Sequence, residues 1–172
     1  MWEQFEIDAK IQFEISQIIN GLHISGTGGL TQKKLIESNI KCILRMNMEL
    51  AIKEQLEMFS NLKIKYYHIP TEDHPNYDIL PIFSKTNKII LDNLQLGNEI
   101  LVHCKEGVSR SVTVVCAFLL YFNFTCMKKS ISVADVIALV QRGRHCAEPN
   151  TGFRKQLEQY HSVLECQLIK EK

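Results

Sequence analysis

A run of β-type residues, EILVHC (99–104), leads through a short polar loop into VTVVCAFLLYFNF (112–124), the most apolar stretch of the chain. The first reads as a strand and the second has the size of a buried core helix. Strand, loop and buried helix in that order constrain the fold more than anything else here. The rest of the sequence extends the alternation. QIINGLHIS (17–25), KCILRM (41–46) and KIKYYHIP (63–70) read as further strands. Helical periodicity fills the gaps at 31–38, 49–59 and 79–94, where Phe83, Ile90 and Leu94 share one face. Two more helical patterns follow the apolar one. The first starts at Ser132, with Asp135 at the capping-box position. The second starts at Asn150 and carries Phe153, Leu157, Tyr160, Leu164 and Leu168 on one stripe. Alternating strands and helices predict an α/β domain with a mainly parallel sheet covered on both faces.

At 172 residues the chain has the size of one domain, expected over 1–172 with a core at about 17–168 and an N-terminal helical extension at 1–16. A net charge of +1 supplies no general field for nucleic acid or a membrane surface, so neither is expected as a partner. Any anion must be held by a local site. The start, MWEQFEIDAK, lacks the layout of a signal peptide. The six cysteines (42, 104, 116, 126, 146, 166) are scattered without a CxxC pair, as free thiols in a reducing compartment would be. The expectation is a cytoplasmic chain, with the nucleus open to it as well, and no structural zinc.

In parallel sheets ligands gather at the carboxyl ends of strands, where His103 and Cys104 fall. If a helix begins near Ser109 or Arg110, the backbone amides of Lys105, Glu106, Gly107, Val108, Ser109 and Arg110 form a concave nest that fits a tetrahedral phosphate. Gly107 permits the dihedrals such a loop needs, and Arg110 adds a fork for two phosphate oxygens. Cysteines placed at helix N-termini beside cations ionise more readily than a free thiol. The arrangement suits covalent phosphoryl transfer, with Cys104 as nucleophile and Ser111 bonded to its sulfur. Expelling an alcohol or phenol oxygen also needs a proton donor, and TEDHPNYD offers Glu72, Asp73 and Asp78.

HCKEGVSRS resembles the HCxxGxSRS signature of the dual-specificity subgroup of cysteine-dependent protein phosphatases, and the likeness spans nearly the whole chain. QIINGLHISG, KCILRMN, YYHIPTEDHPNYDILPIF and PNTGFRKQLEQY look like the opening strand, the second strand, the acid loop and the closing helix of that family. Among its small atypical members the chain most resembles the group that includes dual-specificity phosphatases 14, 18 and 21.

The resemblance implies a five-stranded sheet, hydrolysis of phosphotyrosine and phosphoserine or phosphothreonine in proteins, phosphorylated proteins as partners, and no metal or organic cofactor. It leaves the oligomeric state open. It assigns the nucleophile to Cys104, the phosphate grip to Arg110 and the adjacent hydroxyl to Ser111, and it places the acid at Asp73. Asp78 is then expected to cap the helix near Ile79, and Glu72 to face solvent. His103 is expected to orient the loop, and Asn150 to cap the last helix, with a further role in bracing the phosphate loop left open. Arg142, Arg144 and His145 read as a solvated basic helix end, with a second phosphate or acidic-substrate contact as the alternative. Arg45 stands where the family pattern leads one to expect an apolar residue, and His145 where many relatives carry proline. The rival readings are a phosphoprotein-binding module without activity, and a phosphatase of phosphoinositides or RNA 5′ ends.

Overall fold

The computed structural model describes residues 13–170, and in it the stretch 17–25 is two strands instead of one. β1 (Ser16–Ile19) and β2 (Leu22–Ser25) pair antiparallel around Asn20–Gly21. Asn-Gly is a strong hairpin signal, masked in the sequence by the β-rich residues on either side. Gly21 takes a φ of +82°, and a Cβ there would lie 2.7 Å from a Leu94 methyl. The helical extension expected at 1–16 falls mostly outside the described residues, and Ser16 already belongs to β1.

The remaining elements follow in alternation: α1 (Gln32–Glu37), β3 (Ile40–Arg45), α2 (Lys53–Asn61), β4 (Lys65–His68), α3 (Phe83–Gln95), β5 (Glu99–His103), α4 (Arg110–Tyr121), α5 (Val133–Gly143) and α6 (Thr151–Lys170). The sheet runs β1-β2-β5-β3-β4, parallel throughout except for the opening hairpin. Alternate strand residues divide between two cores. Cys42, Leu44, Ile100 and Val102 pack with Phe83, Ile90, Phe118, Phe153 and Leu157. Ile43 and Leu101 pack on the other face with Leu35 and Phe59. Every residue of α4 from Arg110 to Leu120 is buried, which is why its sequence is apolar all round.

Helix starts are set by side chains the sequence displays. Ser132 accepts from Asp135 N–H at 3.1 Å, and Asn150 Oδ1 accepts from Phe153 N–H at 2.9 Å. Asp78 does not cap the helical turn that opens at Leu80. Gln156, reaching across from α6, accepts from the amides of Ile79 at 2.8 Å and Leu80 at 3.0 Å instead. No helix among the described residues is long and apolar enough to cross a membrane.

Candidate active site

The four parallel strands end on one side of the sheet, and the connections that leave them there build the site. β5 stops at His103, and residues 104–109 loop over to the N-terminus of α4. Cys104 lies at the floor of this loop, 1 % exposed. The Gly107 amide donates to its sulfur at 3.2 Å, and the Ser111 hydroxyl lies 3.3 Å away. Gly107 has a φ of +70°, and a Cβ on it would come within 2.5 Å of the Ser25 backbone, so no other residue fits.

The loop is held from beneath. Thr27 bonds it twice, N–H to the Lys105 carbonyl at 2.9 Å and hydroxyl to the Cys104 carbonyl at 3.2 Å. His103 Nδ1 donates to the Cys104 carbonyl at 3.3 Å. Burial first, and then the nearby Arg45 charge, push the His103 pKa down from 6.5 to about 3, so the ring is neutral and orients the loop without giving protons.

Arg144 is the largest departure from expectation. It is fully buried, where a solvated helix end was expected. Its Nε donates to the Gly107 carbonyl at 2.6 Å, Nη2 to the Glu106 carbonyl at 3.0 Å and Nη1 to Ser16 Oγ at 3.1 Å. A basic residue closing a helix looks in sequence like an ordinary complement to the helix dipole, and no local pattern distinguishes a strut from it. The side chains of Lys105 and Glu106 point into solvent and that of Val108 is half-buried, which leaves the backbone of these residues to face an anion.

Ser109, the N-cap of α4, makes no capping bond with its side chain. Its hydroxyl donates instead to Asp73 Oδ1 at 2.7 Å. The same oxygen accepts from Asn150 Nδ2 at 3.0 Å, and Arg110 Nε stands 3.5 Å from the other carboxylate oxygen. Arg110 Nη1 also donates to the Thr71 carbonyl at 3.2 Å. Asn150 therefore both caps α6 and braces the phosphate loop, its own N–H donating to Ser109 Oγ at 3.3 Å. Of the three carboxylates in the acid loop, only Asp73 is hydrogen-bonded to this cluster; Glu72 and Asp78 are exposed. The structure brings Cys104, Arg110, Ser111, Asp73, His103 and Asn150 together around the 104–110 loop. Arg144 and Gln156 are the residues that sequence reasoning missed.

A family model described as the dual specificity phosphatase catalytic domain matches residues 23–163. The chain belongs to that family. The class is that of a protein phosphatase acting on phosphorylated tyrosine and serine or threonine. This phosphatase is similar to dual specificity protein phosphatase 22 of Mus musculus, 31 % identical over 85 % of this chain and 73 % of the relative. It also resembles the Homo sapiens form, 36 % identical over 56 % of this chain and 50 % of the relative. Among solved structures it matches the Yvh1 phosphatase domain of Chaetomium thermophilum with a TM-score of 0.75 and 28 % identity, covering 90 % of this chain and 99 % of that one. These relatives establish the atypical dual-specificity class and do not single out the group of phosphatases 14, 18 and 21.

Proposed function

We propose that the domain removes phosphate from phosphotyrosine and phosphoserine or phosphothreonine of cytoplasmic proteins in two displacements on Cys104. The Cys104 sulfur attacks phosphorus while the ester oxygen departs with a proton from Asp73, leaving a cysteinyl phosphate. Water then attacks that phosphorus as Asp73 takes up its proton, and sulfur leaves as thiolate, stabilised by the Gly107 amide and the Ser111 hydroxyl. The loop amides and Arg110 neutralise the equatorial oxygens in both steps. The observation that carries this reading is the pair of bonds from Ser109 and Asn150 to one oxygen of Asp73, which tie a carboxyl group to the rim of the loop that holds Cys104.

Asp73→Asn is expected to lower kcat on phosphotyrosine by about 100-fold, within the usual range for removing a general acid. On an aryl phosphate with an acidic leaving group the loss shrinks to a few-fold. Equal losses on both substrates would remove Asp73 from the acid role. Cys104→Ser is expected to abolish turnover of either substrate.

A further inference from the structure

Ten large hydrophobic side chains are exposed among the described residues, and four of them fall between 48 and 56. They are Met48, Leu50, Ile52 and Leu56, with Leu50 the most open at 71 %. That concentration borders the catalytic strand ends. Arg45 lies in register with His103, and the Met46 amide donates to the His103 carbonyl at 2.9 Å, so residues 46 and 47 run beside Cys104. His68 Nε2 donates to the Asn47 carbonyl at 2.7 Å from the next strand.

The segment beyond is shaped by Arg45. Its side chain is buried beneath the loop at 5 % exposure, where Nε donates to the Glu49 carbonyl at 2.8 Å and Nη2 to the Leu50 carbonyl at 3.3 Å. A buried guanidinium is costly unless good acceptors hold it, and here the acceptors are the carbonyls that set the direction of residues 48–50. An aliphatic side chain at 45 would satisfy the core and leave that loop without a brace.

We propose that Arg45 is a positioning residue that fixes Met48 and Leu50 as an apolar step beside the phosphate cradle. The step takes aliphatic or aromatic side chains of a substrate protein close in sequence to the phosphorylated residue. The proposal rests on the phosphatase reading above, because that reaction is what brings a phosphoprotein segment to this edge. Met48 lies three residues past the end of β3, so it stands about 10–15 Å from the nucleophile, which an extended segment covers in about three or four residues. Glu49, exposed between Met48 and Leu50 in the chain, disfavours acidic residues in the same place.

The test uses two phosphotyrosyl peptides alike except for leucine or aspartate at the second to fourth positions on either side of the phosphotyrosine. Their Kd values are measured by fluorescence anisotropy on Cys104→Ser, which needs no turnover, and their kcat/KM values on the unmutated enzyme. The leucine peptide is expected to bind about tenfold tighter, as burial of one large apolar side chain predicts, with the catalytic difference in KM and little in kcat. Adding Leu50→Asp, an exposed change that folding tolerates, should erase the preference. Arg45→Lys, which cannot grip both carbonyls, should reduce it. Equal binding of the two peptides, or a preference that survives Leu50→Asp, overturns the proposal. So does a Leu50→Asp variant that changes only the oligomeric state, since the face would then belong to a second copy. Hydrolysis of para-nitrophenyl phosphate by the unmutated enzyme and its loss in Cys104→Ser test the underlying reaction separately.

Discussion

The sulfur of Cys104 has two polar neighbours, and the two differ in kind. The Gly107 amide is fixed by a left-handed backbone with no room for a side chain, so its contribution is built into the loop. The Ser111 hydroxyl rotates, and at 3.3 Å it can turn its proton toward sulfur when negative charge returns there. That happens as the cysteinyl phosphate is hydrolysed. Ser111→Ala is therefore expected to slow breakdown of the phosphoenzyme by about 10- to 100-fold, the worth of a hydrogen bond to a charged group, and to slow its formation much less. Rapid-quench kinetics would then show a burst of released alcohol followed by a slow steady state. A variant with both phases slowed alike would assign Ser111 a packing role only.

The acid loop is a connection between β4 and α3, yet its position is dictated by α6. Gln156 accepts from the amides of Ile79 and Leu80 and donates to the Tyr77 carbonyl at 2.8 Å, three bonds from one side chain to the exit of the loop. Gly152 lets the first turn of α6 press on the same loop, since a Cβ there would meet the Pro75 carbonyl oxygen at 1.7 Å. Asn150 completes the clamp at Asp73. Gln156→Leu keeps the volume but strands two amides and a carbonyl, so the loop should relax away from the cradle. Turnover of phosphotyrosine is expected to fall about tenfold, the scale of a misplaced proton donor, while an aryl phosphate with an acidic leaving group loses no more than about twofold. A loss independent of the leaving group would show that Gln156 supports the fold and leaves Asp73 in place.

The apolar elements of the molecule were legible as runs. The strands show themselves as short runs of β-branched and aromatic residues and the helix buried on all sides as the unbroken run in α4, whereas the division of Leu44 and Val102 from Ile43 and Leu101 between two cores has no polar–apolar alternation to announce it. The nucleophile loop was legible because its chemistry is packed into nine consecutive residues. What was hidden are long polar side chains acting across the fold: Arg144 joining α5 to Gly107 and Ser16, Gln156 joining α6 to the acid loop, Arg45 bending back to its own connection. Apart from the Ser16 hydroxyl, their partners are backbone carbonyls and amides, which carry no side-chain signature, so no spacing in the sequence announces them. The hairpin at Asn20–Gly21 failed for the opposite reason, a turn signal submerged in strand-forming neighbours. These buried polar groups also decide how the protein responds to acid. His103 is buried at the junction of β5 and the loop, with its pKa held near 3 against an ordinary 6.5. Between those values the unfolded chain takes up a proton that the folded one refuses. The His103 contribution to stability is thus complete above pH 6.5 and falls toward pH 3 by up to about 1.4 kcal/mol per pH unit. Urea midpoints measured from pH 7 down to about 4 should fall more steeply for the native chain than for His103→Gln, which has no proton to accept there. Parallel slopes would mean that the ring already titrates in the folded protein, and that its orientation of the Cys104 carbonyl survives protonation.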